Sequence, residues 1–246
     1  MKRRLLSRFG VVAGIVLTLM TASALPAADP IPDQAIDPAS YDHPVRVACV
    51  GDSITMGVGT LDPATQSYPN QLQTILGSGW EVKTFAAGGR TLLRKQDPMD
   101  HHRAMKYQPD VVIIMLGTND ARQATWDKHG AEFVSDYQGI IKDFLGIATH
   151  PKVWLCLPVP AFPEHWGISE KLIAGTVIPA IQEAATGSRV PTIDLHTPLA
   201  DKKAWFPDAV HPNKDGAHRI AELVAAAISK TAAPASAPSS TKPANP

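Results

Sequence analysis

The segment Asp110 to Gly117, DVVIIMLG, is a continuous apolar run. A helix on the surface of a globular domain repeats its apolar residues every three or four positions, and a half-exposed strand alternates them. A short run that does neither is what a strand buried on both faces looks like, and parallel sheets covered by helices are where such strands occur. Four more segments fit the same sheet: VRVACV (45–50), WEVKTFA (80–86), KVWLCLPV (152–159) and VPTIDL (190–195). Between and after them come segments of helical period. These are YPNQLQTILG (68–77), AEFVSDYQGIIKDFLGIA (131–148), SEKLIAGTVIPAIQEAATG (169–187, interrupted by Pro179) and KDGAHRIAELVAAAISK (214–230). Strands separated by helices make βαβ units, so the expected fold is a three-layer α/β/α sandwich around a mainly five-stranded parallel sheet. A chain of 246 residues is long enough for one such domain with a full core. A hydrophobic share of 44% excludes a mainly disordered chain and a polytopic membrane protein.

The two ends read differently. Residues 1–24 carry Lys2, Arg3, Arg4 and Arg8, then an apolar block, then the small residues Ala22-Ser23-Ala24. That is the pattern of a secretory signal peptide, and the apolar block is short for a membrane span; an uncleaved anchor is the alternative. Residues 25–40 read as a linker, residues 41–230 as the domain, and the Pro/Ala/Ser-rich residues 231–246 as a disordered tail. The expected location is therefore outside the cytoplasm, with no stable membrane insertion after cleavage. Of the 23 basic and 23 acidic residues, the leader holds four bases and no acids, which leaves 19 against 23, a net of −4. Without a basic block, nucleic acid is a poor partner. Cys49 and Cys156 each lie in a strand run and read as buried, unpaired thiols.

In a sheet of this kind ligands bind beyond the carboxyl ends of the strands. Unusual chemistry collects there. GDSIT with Ser53 follows the first strand, AAGGRT with Gly88 and Gly89 the second, and GTND with Asn119 and Asp120 the third. FPDAVHPN, with Asp208 and His211, lies past the fifth. A serine hydroxyl becomes a nucleophile when a base takes its proton, and the base must be oriented, usually by a carboxylate. Asp208 and His211 are spaced for a carboxylate–imidazole pair on a tight turn, which leaves the second ring nitrogen for Ser53. The backbone N–H groups of Ser53 and Gly89 and the amide of Asn119 are candidate donors to an oxyanion. The plainer alternatives are Ser53 as a helix cap, Gly88-Gly89 as an ordinary turn, and Asp52 and Asp120 as turn-stabilising carboxylates.

These blocks, in this order, resemble the SGNH hydrolases, also called the GDSL family. The resemblance runs from about residue 45 to 228. It implies the flavodoxin-like SGNH fold, Ser53 as nucleophile, His211 as base, Asp208 as its partner, and Ser53, Gly89 and Asn119 as the oxyanion hole. Thr84 and Ala86 stand where the family often has an asparagine and a further glycine, and Gly88 is an alternative to Gly89. YPNQL, GGRTLL, KVWLCLPVPAF and FPDAVHPN further resemble carbohydrate O-acetylesterases of the sialate or xylan type. That implies a carboxylic ester hydrolase releasing acetyl groups from an acetylated saccharide or other small ester, with no metal or organic cofactor. Trp126, His129 and Trp166, with His165, are candidates for a sugar-binding rim, and Arg90 and Arg122 for contact with an acidic substrate or plain surface charge. The other histidines, His101 and His102 among them, read as solvated surface, and His196 as structural. The rival functions are a lipase, lysophospholipase or thioesterase with the same triad, a metal-dependent phosphoesterase, and a non-catalytic glycan-binding module.

Overall fold

A computed structural model describes residues 34–92, 99–162 and 166–230. The expected leader, most of the expected linker, the tail and His165 lie outside these residues. Five strands form one parallel sheet: β1 (Val45–Gly51), β2 (Trp80–Ala86), β3 (Val111–Met115), β4 (Lys152–Leu157) and β5 (Thr192–Asp194). Their order is β2-β1-β3-β4-β5. Each of the five sits where an apolar run stands in the sequence. The helices are α1 (Ser53–Met56), α2 (Pro63–Gln66), α3 (Tyr68–Leu76), α4 (Met99–Lys106) and α5 (Gln123–His129). They continue with α6 (Phe133–Leu145), α7 (Glu170–Leu172), α8 (Ile178–Ser188) and α9 (Lys214–Ile228).

Side chains of each strand alternate between two apolar layers, as a pleated sheet requires. Val45, Val47 and Cys49 of β1, with Val111, Ile113 and Met115 of β3, meet Tyr68 and Leu72 of α3 and Ile220, Val224 and Ile228 of α9. Ala48 and Val50, with Val112 and Ile114, meet Phe133, Tyr137, Ile141 and Phe144 of α6 and Ile181 of α8. Both faces of β3 are thus covered, which is the physical reason its sequence shows no polar position. Cys49 and Cys156 are buried and free. They sit in the same layer, but β3 lies between their strands, and two strand spacings of about 4.8 Å exceed the reach of a disulfide. Burial pushes the Cys49 thiol up to about 12 and the Cys156 thiol higher still.

Three features differ from the sequence reading. The packed fold begins before residue 41. Ile36 is buried, its N–H donates to Ile228 O at 2.7 Å, and its carbonyl accepts from Lys230 N–H at 2.9 Å. Gln34 O accepts from Lys152 Nζ at the start of β4. His101, read as solvated, is buried with its ring 4.9 Å from that of Phe144, because α4 lies across the α6 side of the sheet where a polar connection was expected. The third is at Pro179, where the helix is not broken. A π-helical stretch, Ile173–Val177, precedes α8, and Pro179 falls in the first turn of α8, where a missing N–H does least harm. Among the described residues no helix is long and apolar enough to cross a membrane.

Candidate active site

The strand order reverses direction between β1 and β3, and in open α/β sheets this is where a crevice forms beyond the carboxyl ends. Gly51 ends β1 there. A Cβ on it would lie 2.0 Å from Thr55 Oγ1 and 2.9 Å from Met115 O, so only glycine lets the chain fold back tightly enough to start α1 against β3. Asp52 caps that helix, its Oδ1 accepting from Ile54 N–H at 2.9 Å. Ser53 is the first helical residue, so its own N–H has no intrahelical acceptor.

His211 reaches Ser53 from the other end of the chain. The Ser53 hydroxyl lies 2.8 Å from His211 Nε2, and His211 Nδ1 lies 2.6 Å from Asp208 Oδ2. With the ring proton on Nδ1 directed at the carboxylate, Nε2 accepts the serine hydroxyl. Asp208 Oδ1 also accepts from the backbone N–H groups of Val210 (3.1 Å) and His211 (2.7 Å). Burial works to raise the Asp208 carboxyl, but these hydrogen bonds outweigh it and hold the group below its ordinary value. It therefore stays ionised across the neutral range.

The glycine loop after β2 is held by the residues after β3. Asn119 Nδ2 donates to Arg90 O at 2.9 Å and to Asp52 Oδ2 at 3.2 Å. The Asp120 carboxylate accepts from Leu92 N–H, both oxygens at 3.1 Å. Asp120 thus ties down a turn through a backbone donor, as one reading of the sequence has it. Gly89 has φ +72 and open space around its Cα, so glycine is used there for its backbone conformation. Its N–H has no acceptor among the described residues. Both amide protons of Asn119 have protein acceptors, so donation to a ligand requires one of these bonds to give way.

A cavity of about 270 Å³ opens over Ser53, Gly89, Asn119 and His211, with Val58, Arg122, Trp166 and Ile168 completing its wall. Trp166 stands at the lip, 62% exposed and in a left-handed backbone conformation, φ +57, which a bulky residue adopts only under constraint. Arg122 supplies part of that constraint: its Nε donates to Trp166 O at 3.0 Å, and its backbone bridges Ile168. Of the other rim candidates, the two within the described residues are elsewhere. Trp126 packs its ring 5.2 Å from Phe133 and against Gly130, and His129 lies 3.9 Å from Glu132. Neither lines the cavity, and the Trp126 ring is taken up in covering Phe133 of α6. Val58 and Ile168 line the cavity without any signal in the sequence, since a single apolar residue in a loop looks like any other.

Three buried or half-buried groups near this edge have raised values. Burial pushes Asp52 up to about 6 and Asp120 up to about 7, and a hydrogen bond to Glu170 raises His196. Folding favours the protonated form of each. The stability they contribute is therefore full below their unfolded values and is lost as the pH rises through the folded ones. Asp208 has the opposite sign, its contribution being lost as the pH falls through its lowered value. The thermal midpoint is thus expected to peak near about pH 4 and to fall toward about pH 8, Asp52 alone accounting for on the order of 3 kcal/mol between about pH 4 and 6. Calorimetry across that range checks this; a midpoint that climbs steadily to the alkaline end contradicts it.

Comparison with known proteins gives the family. Residues 49–219 match the model of the GDSL-like Lipase/Acylhydrolase family. An acetylxylan esterase of Xylanibacter ruminicola is 40% identical over 214 residues, which cover 78% of this chain and 44% of that protein. The chain thus spans less than half the length of this curated relative. Among solved structures, a carbohydrate acetylesterase from Sinorhizobium meliloti superposes with TM-score 0.58 at 23% identity, covering 74% of this chain and 99% of that one. An acetylxylan esterase from Geobacillus stearothermophilus superposes with TM-score 0.59 at 16% identity, covering 74% and 93%. By sequence and by fold, the chain belongs to the GDSL-like lipase/acylhydrolase family.

Proposed function

We propose that the protein is an exported serine esterase that removes acetyl groups from carbohydrate hydroxyls. The observation that carries this reading is the unbroken hydrogen-bonded series from Ser53 Oγ through the His211 ring to the Asp208 carboxylate, opening into a small cavity. In this reading His211 Nε2 takes the serine proton as Oγ attacks the acetyl carbonyl. The carbonyl electron pair moves onto oxygen, where the Ser53 and Gly89 N–H groups and the Asn119 amide receive it. Collapse of this intermediate expels the sugar oxygen, which takes the proton from His211. Water, deprotonated by the same ring, then frees acetate and restores Ser53. Asp208 keeps the ring in the productive tautomer and offsets its positive charge.

Three things support acetyl on sugar over a long acyl chain. The 40%-identical relative is an acetylxylan esterase. The cavity is small, about 270 Å³, and an acetyl group asks for little room. Trp166 offers an exposed aromatic face at the lip, suited to stacking on a sugar ring. Export rests on the sequence of residues 1–24.

Two substrate series test the reading. Acetylated xylan treated with the protein is expected to release acetate, measured by mass spectrometry. Across 4-nitrophenyl esters, kcat/KM is expected to fall at least roughly tenfold from acetyl to octanoyl. Faster turnover of octanoyl than of acetyl, with acetylated xylan untouched, would shift the assignment to a lipase or thioesterase.

A further inference from the structure

Outside the residues assigned so far, the described chain holds one other closely bonded acid–imidazole pair at the same edge of the sheet. Glu170, at the start of α7, has its Oε1 2.8 Å from His196 Nε2, just beyond β5. Its Oε2 accepts from Ala161 N–H, also at 2.8 Å, in the loop that leaves β4. His196 is itself anchored, since its backbone N–H donates to Asp194 Oδ1 at 2.9 Å. One carboxylate therefore joins the ends of two neighbouring strands.

What lies next to this clamp gives it a role. Phe162, the residue after Ala161, donates its N–H to Ala209 O at 2.7 Å, and its ring lies 5.1 Å from that of Phe206. Ala209 sits between Asp208 and His211 in the left-handed region, φ +70, which an alanine holds only when its surroundings fix it. The Ala209 carbonyl and the Val210 N–H belong to the same peptide plane. That plane is gripped on one side by Phe162 N–H and on the other donates to Asp208 Oδ1. The orientation of one peptide thus decides whether Asp208 receives its second backbone donor, and so whether its other oxygen faces His211 Nδ1.

We propose that Glu170 and His196 are positioning residues for the Asp208–His211 turn. They hold the loop after β4, the loop holds the Ala209–Val210 peptide, and that peptide aims the Asp208 carboxylate. Neither residue lines the cavity, so their effect falls on the rate of the chemical step and not on substrate binding. The proposal rests on the triad reading given above.

Glu170→Ala, Glu170→Gln and His196→Gln, each compared with Ser53→Ala, test it by acetyl-ester kinetics and by proton NMR of the hydrogen shared between His211 Nδ1 and Asp208. Glu170→Ala is expected to lower kcat about tenfold or more with KM within about twofold, because small misplacements of a catalytic group cost rate steeply. It is also expected to weaken or shift the shared-proton resonance. Glu170→Gln keeps an oxygen to accept from Ala161 N–H and should recover most of the loss. If Glu170→Ala does not fold, His196→Gln is read in its place, with a loss of several-fold in kcat and the same spectral change. Wild-type kcat with an unmoved resonance in the folded variant overturns the proposal, as does a rise in KM at constant kcat. A dead Ser53→Ala beside an unaffected Glu170→Ala removes the positioning role alone; an active Ser53→Ala removes the triad reading itself.

Discussion

Ser53→Ala is expected to lower kcat for acetyl-ester hydrolysis by about 10⁵- to 10⁶-fold, while the protein folds normally. The size of the effect follows from what the substitution removes. The hydroxyl 2.8 Å from His211 Nε2 is the group placed for the ring to deprotonate as it attacks the acyl carbon, and alanine offers no replacement. The backbone N–H of residue 53 remains, so the oxyanion donors persist and a small residual rate survives. Stability should change little, because Asp52, and not Ser53, caps α1. Steady-state kinetics with 4-nitrophenyl acetate, beside a thermal melt, measure both. Turnover near that of the parent in a folded Ser53→Ala protein would remove Ser53 as nucleophile and leave the site without a mechanism.

Asp208→Asn is the second large effect, about 10⁴-fold in kcat. An asparagine is nearly the same shape and its oxygen can still accept from the Val210 and His211 N–H groups, so the turn persists. Its NH₂ then occupies the position that lies 2.6 Å from His211 Nδ1. Two donors cannot face each other, so the ring proton moves to Nε2 and points at Ser53, where a lone pair is needed. The loss is thus electronic and not steric. KM should move little. A fall of only a few-fold would mean that Asp208 supports the turn without tuning the ring.

Much of this was legible in the sequence, for a specific reason. Strands buried on both faces leave no polar position, so VVIIM (111–115) declares itself without any partner being known. Ser53 and Asn119 are polar residues placed just after such runs, and the structure brings them to one edge with Asp208 and His211 from the segment past β5. What the sequence withholds depends on long-range packing. His101 looks like a surface histidine until α4 is laid over Phe144. Trp126 and Trp166 are alike in composition and neighbourhood, yet one covers a helix and the other lines the cavity. The two protons of Asn119 are directed by Asp52 and by Arg90 O, 67 and 29 residues away, and no local pattern records that. The pair Glu170 and His196 is equally silent, being joined across 26 residues through a turn that neither of them forms.

Ile36 and Ser229, bridged at the opening edge of the sheet beside the first residue of β4, bring the two ends of the folded unit to one spot on the side remote from Ser53. Whatever is attached beyond either of them, whether an affinity handle, a carrier domain or a solid support, would leave through a common exit. Both points of departure thus start at the end of the sheet opposite the one that carries Ser53.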